Sequence, residues 1–354
     1  MTVAGDGVAL SRRYFEDLVA PLLMQQAPEV RYAAARVGQG SEVLGFDDAM
    51  SRDHDWGLRL QLFVPEADQA QVLAALDQHL PTDFRGHPVR FGFSTDPIER
   101  LRIDVASVSA FAEQQLGFDP RSGPSPVDWL SMTGQAVLEI VSGAVFGDQT
   151  GELTGLREAL RWYPDDIWTY VVACDWQRLD QELPLMGRAG DRGDEIGSRV
   201  IAARLVDVAV HLGFMLCRAW PPYSKWRGAS FRHLTGCAAI AADLERALDA
   251  RDWRDRQAAL GHALTKLARL QRKNNLPVPQ SAIEPFWDRP YVHLNRRLVP
   301  GLLETLNSSE VRALPIGVGS VEQQTDNVDV LIRPGHRSAL AASLLHPQTP
   351  DPTS

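Results

Sequence analysis

An α+β first domain followed by an all-helical second domain is the fold class that this sequence predicts. Three observations carry it. Strand-like alternation and helical spacing interleave over the first 110 residues. The stretch FDPRSGPSPVD at 118–128 then marks a change of composition that reads as a linker. From there to about residue 274 the apolar spacing is helical almost throughout. With 354 residues the chain has the length of about two domains, and its 44% apolar content is enough to bury a core in each. The expected divisions are a mixed domain at 1–120, a helical domain at 126–310, a segment at 311–345 packing back near the cleft, and a frayed tail at 346–354.

Ser11 is placed to cap a helix from Arg12 to about Gln26, with Tyr14, Phe15, Leu18, Leu22 and Leu23 on one face and Pro28 beyond its end. Residues 30–38 (VRYAAARVG) read as a strand, and 39–52 as a loop containing two glycines and several carboxylates. Asp55–Val64 has strand character, with Leu58, Leu60 and Leu62 on one face; Pro65 closes it, and 66–80 reads as an amphipathic helix. Val89–Phe93 and Arg100–Val108 read as two more strands. The second alternates Leu101, Ile103 and Val105 against Arg100, Arg102 and Asp104. Helices are then expected at 133–142, 152–161, 165–182, 194–219, 224–250 and 252–274. An irregular crossing with five prolines follows at 275–300, and one last turn and strand at 314–332.

Composition excludes several classes. The longest apolar run, Leu205 to Cys217, contains Asp207 and His211 and is too short to span a bilayer, so no membrane partner is expected. Residues 1–10 lack the basic-then-apolar layout of a secretory signal, which points to a cytoplasmic protein. Cys174, Cys217 and Cys237 form no CxxC or Cys/His pattern, so neither a disulfide framework nor a zinc site is expected. The 36 basic and 45 acidic residues give a net charge of −9, and the imbalance sits in the first half: residues 1–150 hold 11 Arg/Lys and 21 Asp/Glu. An acidic first half argues against a nucleic-acid partner. It suits a metal site or a cationic substrate, and equally a merely solvated acidic face.

The most informative stretch is VGQGSEVLGFDDAMSRDHDWGLRLQLFV at 37–64. Gly40-Ser41 follows one strand, and Asp53-His54-Asp55 opens the next. If 53–62 is extended, Asp53 and Asp55 share the face opposite Leu58, Leu60 and Leu62. Asp104 likewise points away from the apolar face of its own strand. Three converging carboxylates repel one another unless a cation compensates. Hard oxygen ligands of this kind suit Mg²⁺, in a pair of ions that also engages substrate phosphates. A small turn such as Gly40-Ser41 lets backbone N–H groups and a hydroxyl approach those phosphates.

A GS turn, an 11-residue spacer, a D-x-D opening a strand and a later strand-borne Asp resemble the nucleotidyltransferase-fold superfamily, which includes DNA polymerase beta-like enzymes and aminoglycoside adenylyltransferases. GSEVLGFDDAMSRDHDWG and the later PPYSKWRGASF also resemble a large bacterial domain-of-unknown-function family of nucleotidyltransferase-like proteins, over most of the chain. The superfamily resemblance covers about residues 30–110 and implies a nucleotidyltransferase-like mixed sheet with flanking helices. By position it implies Gly40 and Ser41 as the phosphate-contacting turn, and Asp53, Asp55 and Asp104 as the metal-binding catalytic carboxylates. The implied reaction is Mg²⁺-dependent transfer of a nucleoside monophosphate from an NTP, ATP foremost, to a hydroxyl or amine of a small molecule. A cationic acceptor such as an aminosugar would suit the acidic first domain. Two other readings stay open: a catalytically silent nucleotide-binding regulator or antitoxin-like protein, and a transferase acting on RNA or protein. His54 departs from the superfamily, which usually places an apolar residue between the two aspartates.

The stretch PPYSKWRGASFRHL at 221–234 interleaves aromatic and basic residues, and Lys225 is one of only three lysines against 33 arginines. Lys225 and Arg227 are therefore candidates to contact the nucleotide's phosphates. The alternative is a helix start after Pro221-Pro222 with its rings in the core and its charges in water. Asp47 and Asp48 fit outer contacts to metal or substrate, but equally a loop turn or helix cap. Gly319-Ser320 with Asp326 and Asp329 weakly echoes the first motif at much shorter spacing. An Arg-x(4–6)-His pattern of helical RNases occurs three times (Arg204–His211, Arg227–His233, Arg256–His262), which deprives it of discriminating power.

Overall fold

The computed structural model describes residues 7–47, 56–94 and 96–345. The chain divides into two compact units: residues 1–124 with 136–161, and residues 125–135 with 162–354.

The first unit opens with helix α1 (Gly7–Tyr14), a π-helical turn at Phe15–Val19 and helix α2 (Ala20–Gln26). The helix starts earlier than expected because Leu10 already belongs to the buried face; Ser11 is buried inside the helix and caps nothing. Pro21 explains the π turn. Its ring collides with the carbonyl four residues back and it has no N–H to donate, so the ladder before it loosens by one residue.

Strand β1 (Ala33–Arg36) is central in a four-stranded sheet. It pairs antiparallel with β2 (Leu60–Phe63). After β2 come α3 (Gln69–His79), the short pair β3 (Asp83–Phe84) and β4 (His87–Pro88), and the hairpin β5 (Arg90–Phe93) and β6 (Asp96–Leu101). Strand β7 (Ile103–Ala106) then joins β2 in parallel, and α4 (Val108–Leu116) follows, capped by Ser107. The strand expected over 100–108 is thus two strands in different sheets. Arg102 makes the break: its guanidinium donates to the carbonyls of Phe91 (2.9 Å) and Ile98 (3.1 Å), which turns it onto its own hairpin. On the opposite side of the sheet, Leu60, Leu62 and Ile103 join Leu10, Tyr14, Leu23, Val72 and Leu76 in one buried core.

The strand expected over 55–64 is also shorter. Gly57 has φ of 153°, and a Cβ there would lie 2.7 Å from the ring of Phe91. The chain therefore passes close under that ring and settles into the ladder only at Leu60.

The chain next contributes α5 (Pro126–Ser131) to the second unit and runs through α6 (Gly134–Val141) back into the first. There β8 (Ala144–Asp148) adds to β1 as an antiparallel edge strand, and α7 (Glu152–Ala159) follows. The helical domain expected over 126–310 is thus interrupted by a return to the first unit and by β8. Only Val145 and Phe146 carry its strand signal, between Gly143 and Gly147. Asp148 ends the strand by accepting hydrogen bonds from the backbone N–H groups of Gly151 (2.9 Å) and Thr154 (2.8 Å).

The second unit is built on α8 (Asp165–Asp191), α9 (Glu195–Leu216), α10 (Ser224–His233), α11 (Ala238–Asp249) and α12 (Trp253–Lys273). Helix α8 runs through Pro184, where the sequence suggested its end, with Leu183 and Met186 buried on either side. The single helix expected over 224–250 is broken at 234–237, where Gly236 takes φ of 87°. The proline-rich crossing holds a small hairpin, β9 (Ile283–Pro285) with β10 (Val292–Leu294), before α13 (Leu298–Leu303). Short helices α14 (Ser309–Arg312), α15 (Val321–Gln324) and α16 (Val328–Leu331) precede α17 (Pro334–Leu345), so no strand forms within 314–332.

Buried polar groups fix that last segment onto α8. The Tyr170 hydroxyl donates to the Pro315 carbonyl (2.8 Å) and accepts from the Gly319 N–H (3.1 Å). Gln323 donates to Asp175 (2.6 Å), whose other oxygen meets His211 Nδ1 at 2.7 Å. Burial opposes protonation of His211, but the Asp175 carboxylate overcomes it and raises the imidazole above its ordinary range; Glu322 adds to this and Arg227 subtracts. A raised histidine contributes stability in full below about pH 6.5, the unfolded value, and loses it as pH rises through the folded value. Urea unfolding from pH 6 upward should therefore show a decline that His211→Gln removes. A parallel decline in both proteins would contradict this assignment.

Candidate functional site

The face of the sheet opposite the core carries the candidate site. Gln61 and Asp104 are register partners on β2 and β7, and the Gln61 amide donates to Asp104 Oδ2 at 3.1 Å. Gln61 is buried, whereas Asp104 is exposed, with Ile103 beside it in the core. Asp104 therefore points away from the apolar side, as the alternation requires. Among the described residues, its second carboxylate oxygen has no partner.

Gln61 also ties Asp104 to the turn. Its Oε1 accepts the Val37 N–H at 2.9 Å, where β1 gives way to residues 38–46. The turn is closed by the Val43 N–H donating to the Gly40 carbonyl (3.2 Å) and the Phe46 N–H donating to the Ser41 carbonyl (2.9 Å). Among the described residues, nothing engages the Ser41 hydroxyl or its N–H. Gly40 has φ of 143°, and an added Cβ would lie 2.5 Å from both Arg36 Nη2 and Glu42 Oε2. Only glycine fits there.

Beneath the turn lies a buried ion pair that the sequence reading did not single out. Arg36 is fully buried, and its Nε donates to Glu42 Oε1 at 3.0 Å. Its Nη groups donate to the carbonyls of Val37 and Gln39, so a single guanidinium holds three points of the turn. Arg59 lies 3.8 Å from the same Glu42 carboxylate. The available signal was a lone arginine ending the apolar run AAA at 33–35, with a glutamate six residues on.

Asp53 and Asp55 lie outside the described residues, as do Asp48 and His54. Among the described residues, no group of three His, Cys, Asp or Glu side chains is placed to hold a metal ion. Asp47 accepts the N–H of Gly7 at 3.2 Å, a carboxylate at the start of α1, which is the helix-capping alternative.

The remaining candidates belong to the second unit. Lys225 is exposed on α10, its ammonium 4.7 Å from the centre of the Trp226 ring. Arg227 is mostly buried between Asp207 (3.3 Å) and Glu322 (3.8 Å), so a phosphate would compete with two carboxylates for it. Gly319-Ser320 closes against Tyr170 and starts α15, a packing role. Of the histidines in the RNase-like pattern, His211 is committed to Asp175.

Residues 129–227 match the family model of a domain of unknown function, DUF4037. The DUF4037 stretch runs from α5 to α10 and includes PPYSKWR at 221–227; GSEVLGFDDAMSRDHDWG at 40–57 lies outside it. The crystal structure of a nucleotidyltransferase-like protein from Exiguobacterium sibiricum 255-15 is similar at 13% identity, covering 76% of this chain and 78% of that one, with a TM-score of 0.34. No curated protein matches the sequence. No helix among the described residues is long and apolar enough to cross a membrane.

Proposed function

We propose that the protein is a nucleotidyltransferase that moves a nucleoside monophosphate from an NTP, ATP foremost, to a hydroxyl or amine of a small molecule. The observation that carries this reading is the Gln61 bridge, which joins the base of the Gly40-Ser41 turn to Asp104 on the next strand but one of the sheet. A turn whose hydroxyl and N–H have no partner among the described residues suits terminal phosphates. An exposed carboxylate tied to it through Gln61, with one oxygen held and the other without a partner among the described residues, is a hard donor of the kind Mg²⁺ takes. Asp53, Asp55 and Asp104 would hold the metal, which when bound supplies charge neutralisation on the phosphates and a more acidic attacking hydroxyl. Gly40 and Ser41 bind the phosphates and Gln61 orients Asp104; Lys225 is a candidate cation for the nucleotide. Such chemistry rests on positioning and electrostatics rather than on a covalent intermediate.

The direct test is Mg²⁺-dependent pyrophosphate release from a panel of NTPs, alone and with cationic and neutral hydroxyl acceptors. Release that depends on both metal and acceptor supports the reading. Tight NTP binding with no release under any condition would instead favour a silent nucleotide-binding regulator.

Two substitutions probe the supporting residues. Gln61→Leu leaves the Val37 N–H buried and unpaired, a cost of about 1–3 kcal/mol in urea unfolding. It should also weaken divalent-metal affinity by about 10–100-fold, the range for losing a group that orients a ligand. Lost stability with unchanged metal affinity would make Gln61 purely structural. Lys225→Ala should weaken NTP binding by about 1–3 kcal/mol, the scale of a charge-assisted hydrogen bond, with the melting temperature unchanged. Equal affinity in the two proteins would remove Lys225 from the site.

A further inference from the structure

Two of the three cysteines meet in the second unit. Cys217 caps the C-terminus of α9, Cys237 stands at the N-cap of α11, and their sulfurs are 3.5 Å apart. Twenty residues separate them in sequence, so only the fold makes them neighbours. Between them runs the whole of α10, the helix that carries Lys225 and Arg227. The break at Gly236 that ends the α10–α11 run is what brings Cys237 back to the end of α9. Cys217 is partly exposed, and its sulfur also contacts the Thr235 carbonyl at 3.7 Å; Cys237 is buried. Cys174 is different: it is enclosed beside Tyr170, and burial pushes its thiol up to about 12.

We propose that Cys217 and Cys237 form a redox-active dithiol that a hydroperoxide converts to an intramolecular disulfide, stapling the end of α9 to the start of α11 across α10. The exposure of Cys217 makes it the attacking sulfur. Its thiolate takes one oxygen from the peroxide O–O bond, giving a sulfenic acid at Cys217 and one water or alcohol. The Cys237 thiol, already in contact, attacks that sulfur; the S–S bond forms and the sulfenic hydroxyl leaves with the Cys237 proton as a second water. The two sulfurs together lose two electrons, and the peroxide gains them. Hydrogen bonding from Cys237 draws the Cys217 thiol below its ordinary range and the partner above it, which agrees with this order of events.

The test uses the full reduced chain exposed to hydrogen peroxide, quenched, denatured and alkylated with iodoacetamide. The intact protein should lose two hydrogens, and alkylation should add one group instead of three. The surviving thiol should be Cys174, with the peptides of Cys217 and Cys237 joined. Dithiothreitol should restore all three thiols. In Cys237→Ser, dimedone should label Cys217 as a trapped sulfenic acid. Three alkylated thiols after peroxide, a link through Cys174 or between two chains, or no dimedone adduct at Cys217 in the variant would each overturn the proposal.

Discussion

Asp104→Asn is expected to lower Mg²⁺-dependent transfer by roughly 10²–10³-fold, the range for losing one preorganised electrostatic group, while the protein stays folded. Asparagine keeps the oxygen that accepts the Gln61 amide but removes the charge. Because Asp104 is exposed, its stability effect should stay within about 0.5 kcal/mol, as for other surface positions. Asp53→Asn and Asp55→Asn should give losses of the same order without unfolding, since clustered carboxylates lacking metal repel one another. Steady-state rates with saturating NTP, paired with melting curves, check all three. Full activity in Asp104→Asn would remove it from the metal site, and unfolding in any of the three would point to structural aspartates.

Arg36→Met should be the most destabilising single change around the turn. It strands the Glu42 carboxylate in a largely dry position and frees the carbonyls of Val37 and Gln39. Breaking a buried ion pair from one side costs about 3–5 kcal/mol. Arg59, 3.8 Å from Glu42, should hold the cost toward the lower end. The double variant Arg36→Met/Glu42→Gln should recover part of the loss, because it no longer buries an unpaired charge. Equilibrium urea unfolding reads these values. A loss under about 1 kcal/mol for Arg36→Met would mean that solvent reaches Glu42, and that the pair does not set the turn.

The legible parts of this fold were those whose pattern is purely local. Leu60, Leu62 and Ile103 alternate with Gln61 and Asp104, and period-two alternation assigned both faces of β2 and β7. Helical spacing also located α8, α9 and α12 of the second unit. What escaped depended on tertiary contact. Strand β8 has only Val145 and Phe146 as strand-forming side chains and exists because β1 offers it an unpaired edge. Arg102 splits one apparent strand into two by binding backbone carbonyls that only the hairpin brings near. Strand β2 starts later than its apolar alternation suggests because the conformation of Gly57 keeps 56–59 out of the ladder. For the candidate site, Gly40, Ser41 and Asp104 were readable as motif, but Gln61 and Arg36 were not. A glutamine between two leucines and an arginine after three alanines acquire meaning only when their partners are seen.

The proposed function requires that Asp53, Asp55 and Asp104 share one metal-bound phosphate site with the Gly40-Ser41 turn. A crystal structure with Mn²⁺ and an unreactive ATP analogue tests it most directly, because manganese is located independently by anomalous scattering. Manganese is expected on the carboxylates of Asp53 and Asp55, with Asp104 on the same ion or its neighbour and the analogue's phosphates against Gly40 and Ser41. Manganese and nucleotide bound elsewhere would contradict it. So would an Asp104 carboxylate more than roughly 8 Å from both other aspartates, beyond the span of metals and waters at about 2.0–2.1 Å per bond.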